Sequence, residues 1–150
     1  MKLFVAAFVL AAVVPAGAHH PFTLYYDAST LVSVTGVVVE LRVTNPHVAL
    51  IVDGTAPPGG RSGRWAFEGF PPNAFVRRGP TDFRDKLRPG TRITISAWPA
   101  KDPAARAFSG REVMFADGST MLFGPTPEEG DRWRCASGPC PYKYPEVSPN

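Results

Sequence analysis

The chain has 150 residues, of which 17 are Pro and 14 are Gly, about a fifth of the sequence where about an eighth is ordinary; this composition argues against a helical bundle. With 44% hydrophobic and 19% charged residues, it can bury a core and lacks the low hydrophobicity and high charge of a disordered chain. Three His and two Cys exclude a Cys-rich zinc module and a disulfide-dense scaffold, while a net charge of +3 from scattered basic residues makes nucleic acid an unlikely partner.

At the N-terminus, Lys2 precedes an apolar run from Leu3 to Val14 and the small-residue stretch Pro15-Ala16-Gly17-Ala18. This is the pattern of a cleaved signal peptide over residues 1–18, with the mature chain starting at His19. The run is too short to span a bilayer, which takes about 20 residues. The expected product is a periplasmic or secreted protein with no transmembrane segment in the mature chain. Export permits disulfides, and Cys135 and Cys140 enclose the turn-forming Ala136-Ser137-Gly138-Pro139. A disulfide there is predicted, at about 2 kcal/mol by loop entropy.

The segment from Leu31 to Val43 is rich in Val and Thr, which favour a strand. Its apolar phase, Val32 and Val34 and then Val37, Val39, Leu41 and Val43, slips at Gly36, where a β-bulge is expected. Asn45-Pro46 interrupts it, and a second strand is predicted over His47 to Asp53, followed by a polar loop from Gly54 to Gly63. A third strand covers Arg64 to Phe70, with Trp65 and Phe67 on one face and Glu68 on the other. Asn73 is a candidate N-cap for a short helix from Ala74 to Arg78 ending at Gly79, and Thr81 for a turn carrying Phe83 and Leu87. After Pro89-Gly90, Thr91 to Trp98 alternates as a fourth strand. Phe108 to Ala116 and Thr120 to Phe123 flank Asp117-Gly118, a strong hairpin signal. Residues 124–150, with six Pro, read as an irregular tail.

Three strands, a short helical connection and two more strands suit an all-β fold, a small five-stranded OB-like barrel with the helix between strands three and four. The barrel domain is expected over residues 19–123 and the Pro-rich tail over 124–150.

Several segments together resemble a known family. They are Ala18-His19-His20, Gly36-Val37, Asn45-Pro46-His47, Trp65-Ala66-Phe67-Glu68, Pro72-Asn73-Ala74, Arg77-Arg78-Gly79, Pro89-Gly90 and Ala100-Lys101-Asp102. In this order and spacing, over about residues 18 to 123, they resemble the exported bacterial proteins of domain of unknown function 6152. The resemblance implies a secreted β-rich domain and assigns no catalytic residues.

A mature N-terminus at His19 would offer an α-amino group and an imidazole to one metal ion. A second imidazole would complete the T-shaped nitrogen set of a copper histidine brace. His47 is the candidate second ligand, and His20 offers a different geometry. Tyr25 or Tyr26 is a candidate axial oxygen. The plainer alternative leaves His19 and His20 in an N-terminal arm and gives His47 a turn-supporting hydrogen bond. Trp65, Phe67, Trp98 and Phe108 are candidates for an aromatic ligand platform, although burial preference favours core roles. Glu68 is a candidate ligand-binding residue at the barrel mouth, with a surface ion pair to Arg77 or Arg78 as its plainer role. There is no phosphate-binding Gly-rich loop, zinc-protease motif or nucleophile elbow.

The expectation is an exported, non-catalytic binding or accessory module for a small ligand or envelope protein, with Cu(II) as the first ligand to test. Two alternatives stand beside it. One is a mononuclear copper redox enzyme with a histidine-brace-like site, and the other is a metal-free protein-interaction domain.

Overall fold

The computed structural model describes residues 22–57, 59–131 and 144–147. The expected signal-peptide boundary, His19, His20 and the expected Cys135–Cys140 disulfide lie outside the described residues. A four-residue helix α1 (Phe22–Tyr25) leads into β1 (Val32–Arg42), β2 (Ala49–Ala56) and β3 (Arg61–Glu68). Two short helices, α2 (Pro72–Arg78) and α3 (Phe83–Lys86), precede β4 (Arg92–Pro99), β5 (Ala107–Phe115), β6 (Thr120–Leu122) and α4 (Pro127–Asp131).

The strands pair in the order β3-β2-β1-β4-β5-β6, and a parallel pairing of β3 with β5 closes the first five into a barrel. Closure is short, with Ala66 opposite Ala107, Phe67 opposite Phe108 and Glu68 opposite Ser109. Curling the sheet onto itself removes its open edges. The helices between β3 and β4 plug one end, as an OB-like barrel requires. Phe75 is fully buried there, edge-on to Phe83 at 5.0 Å and to Phe123 at 5.5 Å between ring centroids.

Inward-facing residues of each strand fill the interior: Val34 and Val38, Leu50 and Val52, Trp65 and Phe67, Ile93 and Ile95, and, on either side of a register shift in β5, Phe108 and Val113. Phe67 stacks on Phe108 across the closing pair, 5.1 Å apart and nearly parallel. These aromatics are therefore core and form no open platform. Trp65 is 3% exposed, its indole N–H donates to the Gly54 carbonyl at 3.3 Å, and Arg61 and Arg106 lie over its ring. It offers no open face to a ligand.

The expected bulge at Gly36 is displaced. Gly36 stays in regular register, opposite Gly54 on β2 and Ile93 on β4, and Val34, Gly36 and Val38 point inward in turn. Its role is close approach: a Cβ there would lie 2.4 Å from the Asp53 carbonyl oxygen and 2.6 Å from Val52 Cγ1. The register slips instead between Val38 and Glu40, after which Leu41 and Val43 pack against the core. The uninterrupted Val37-Val38-Val39 hides this phase change, because both phases place a Val inward.

The β2–β3 hairpin is longer than its Gly content suggests. Gly54 pairs with Gly63, Thr55 with Ser62 and Ala56 with Arg61, so most of the expected 54–63 loop is strand. At the other end β2 starts at Ala49, leaving His47 just before the strand. Asn73 lies inside α2 and does not cap it; Pro71 holds the cap position, with no side-chain cap. Asp82 takes the equivalent place before α3 where Thr81 was expected. The Asp117-Gly118 hairpin forms, with Gly118 at φ 81° and Asp117 accepting from the Ser119 backbone N–H and hydroxyl.

Candidate functional site

The outer surface of the barrel carries a row of paired residues that runs across four strands. Glu68, the last residue of β3, lies opposite Ala49 on β2 and Ser109 on β5, and Ser109 lies opposite Trp98 on β4. Since paired residues share a face, these side chains project from the wall that backs the core. Such a row would normally meet water. Here the N-terminal segment covers it.

Phe22 packs edge-on to Trp98 at 5.3 Å and against Tyr26 at 5.4 Å, forming a second, separate apolar cluster. Tyr26 bridges to Ala100, the Asp27 N–H donates to the Pro99 carbonyl, and the Lys101 N–H donates to the Tyr25 carbonyl. The segment is thereby fastened along β4 and its extension. From the other side, α4 packs on α1, where Gly130 approaches Phe22 closely enough that a Cβ would lie 2.7 Å from Phe22 Cβ. The Tyr144 hydroxyl donates to the Tyr25 carbonyl at 2.7 Å, and burial pushes its pKa up. The Tyr144 ring also meets Tyr25 and Tyr26 edge-on.

Among the described residues, Glu68 and Ser109 are the buried polar ones, and both stand in this row. A buried carboxylate is costly unless it is paired and hydrogen-bonded. Glu68 is 6% exposed and uses both oxygens: Oε2 accepts from the hydroxyl of Tyr26, and Oε1 meets Nδ1 of His47. Tyr26 is 1% exposed, whereas the His47 side chain retains 14%. The line Tyr26–Glu68–His47 therefore runs from the interior of the outer cluster toward solvent.

It ends in a cleft of about 1010 Å³. Pro46, Phe70 and Pro71 supply apolar wall, Asn45 and Asn73 polar wall, and Arg77 and Arg78 stand on α2 at its rim. Phe22, Ser109 and Glu129 also line it. His47 reaches this position because it follows Asn45-Pro46 and immediately precedes Val48, whose N–H donates to the Phe70 carbonyl at 2.9 Å and whose carbonyl accepts from Gly69.

The structure thus brings Tyr26, Glu68 and His47 together from three distant parts of the sequence. It separates them from Trp65, which is inside the barrel. Tyr25 does not line the cleft; it serves through its backbone carbonyl. Glu68 is buried, and its partners are Tyr26 and His47, so the expected surface pairing with Arg77 or Arg78 does not form. The covering segment makes the difference, because it removes water from an outward-facing carboxylate. Phe22, Ser109 and the arginines as cleft residues escaped the sequence reading, because pairing across the barrel closure has no local signature.

Among the described residues no group of three His, Cys, Asp or Glu gathers at one point, so His47 and Glu68 alone do not make a metal centre. No helix among them is long and apolar enough to cross a membrane.

The sequence model of one protein family, described as a family of unknown function (DUF6152), matches residues 6–109. No curated protein and no solved structure matches the chain.

Proposed function

The chain belongs to this DUF6152 family, whose function is unknown, and from its cleft we propose that it is an exported, non-catalytic binding module that holds Cu(II) between its mature N-terminus and His47. The observation that carries this reading is the buried Tyr26–Glu68–His47 line opening into the cleft. A carboxylate behind one ring nitrogen fixes a histidine's tautomer and orientation and raises the basicity of the other nitrogen. Glu68 stands in that position toward Nδ1 of His47, so the lone pair falls on Nε2. Tyr26, by occupying the second carboxylate oxygen, keeps Glu68 from turning away.

The remaining nitrogens would come from the terminus. His19 precedes Phe22 by three residues, at most about 10 Å of extended chain, and Phe22 lines the same cleft as His47. A mature His19 would therefore begin the chain three residues before a residue of the cleft that His47 also lines, which supports His47 as the shared partner. A binding role, rather than catalysis, is favoured because both oxygens of Glu68 are engaged, which suits an orienting group better than a general base.

The intact mass of the exported protein gives its first residue, and the expected start is His19. Titration of that protein with Cu(II), followed by electron spin resonance, should show one tightly held ion, with affinity at least about tenfold lower in His47→Ala. A start downstream of His20, or unchanged binding in the variant, would exclude the scheme.

A further inference from the structure

The cleft carries an imbalance of charge. Its acidic lining residues are Glu68 and Glu129, and both are engaged: Glu68 by Tyr26 and His47, Glu129 by Arg111 at 3.5 Å and by the Thr126 N–H at 2.9 Å. Its guanidinium residues, Arg77 and Arg78, have no ion pair among the described residues, since the pairs there involve Arg42, His47, Lys86 and Arg111. Two adjacent cations thus line a concave surface with no carboxylate paired to them among the described residues.

One of the two is preorganised. The Arg78 guanidinium lies over the Phe70 ring, 4.7 Å from its centroid. Such a contact spends the cation's face and leaves the N–H edge, with its forked donors, directed elsewhere. That edge matches a carboxylate, which takes two parallel hydrogen bonds from one guanidinium. Arginines in the last turn of α2 also offset the partial negative charge of the helix end, but that role needs neither the aromatic shelf nor the cleft. Beside the arginines, Pro46 and Pro71 give apolar surface for a ligand's body, and Asn45 and Asn73 give polar groups to orient it.

We propose that the cleft binds a small organic carboxylate, its acid group held by Arg77 and Arg78 and its apolar body lying along Pro46 and Pro71. The inference uses the same cleft as the copper reading but does not require the metal. A neutral molecule of the same shape should bind poorly, because the cations would be covered without gaining an anionic partner.

The test is calorimetric titration of the mature, chelator-treated protein with benzoate, with benzamide as the neutral isostere. Benzoate should bind saturably with one molecule per chain, and benzamide at least about tenfold more weakly. The exposed pair can be removed in Arg77→Ala/Arg78→Ala, which should also lose about tenfold or more. Arg78→Lys, which keeps the charge and removes the fork, should fall between. Thermal melts establish that each variant is folded, and His47→Ala should retain benzoate binding. Absence of saturable benzoate binding, equal binding of benzamide, or undiminished binding by the folded arginine variants would overturn the proposal. None of these results bears on copper, and loss of copper binding in His47→Ala with benzoate binding intact separates the two sites.

Discussion

Phe67 and Glu68 are neighbours in β3, yet one stacks on Phe108 inside the barrel and the other bonds Tyr26 and His47 outside it. The interior is a continuous apolar cluster drawn from every strand of the closed barrel. The outer layer is a small aromatic cluster of Phe22, Tyr26 and Trp98 around a polar line. In the interior, close packing excludes polar groups and fixes the fold. In the outer layer, a few apolar side chains suffice to dehydrate one carboxylate and give it two committed partners. A single strand can therefore build stability on one face and a site on the other, provided a segment from elsewhere covers the second face.

Three changes should separate these regions. Phe67→Ala removes a fully buried ring from the barrel centre and should cost about 3–5 kcal/mol, read as a fall in the urea midpoint. If it costs no more than an outer-layer change, the interior is not the principal source of stability. Glu68→Gln keeps the shape but removes the charge that faces His47. It should cost about 1–3 kcal/mol while lowering Cu(II) affinity by about 10–100-fold, a split that a merely structural carboxylate would not show.

The smallest effect concerns acid. Asp27 follows Tyr26 directly, and hydrogen bonds from Ser29 and Thr30 hold its pKa below the ordinary value. A carboxyl depressed in the folded state adds stability above its unfolded pKa, and that contribution is lost as pH falls through the folded value. Acidification below the ordinary carboxyl range should therefore weaken the turn that follows Tyr26, by a small amount because the Asp27 carboxyl is exposed. Tryptophan fluorescence against pH should show a small change below about pH 4 in the wild type that is absent in Asp27→Asn.

Much of the barrel is readable from local pattern. Pro89-Gly90 and Asp117-Gly118 mark turns where the backbone needs the positive φ of Gly, and the alternation of Ile93, Ile95 and Ala97 follows from one wet and one dry face. Boundaries fail where residues suit both states. Val37 to Val39 conceals a bulge, and Gly54 and Gly63 look like loop yet pair with each other, Gly54 because a Cβ there would lie 2.6 Å from the Thr35 carbonyl oxygen on β1 and Gly63 because its φ is 131°. The site is less readable than the fold. The alternation correctly puts Glu68 opposite Trp65 and Phe67, but whether an outward residue is wet depends on what covers it. Tyr26 and Glu68 are separated by 42 positions, and no periodicity links them. His47 stands out in the sequence through Asn45-Pro46, whereas its carboxylate partner emerges only from the β2–β3 register.

The most direct measurement of the outer layer's role is pulsed electron spin resonance of the Cu(II)-loaded mature protein, which counts the imidazoles coupled to the metal. Two coupled imidazoles in the wild type and one in a folded His47→Ala protein would establish His47 and the terminus as joint ligands. The same count in both would remove His47 from the metal and leave the Tyr26–Glu68–His47 line a purely structural device.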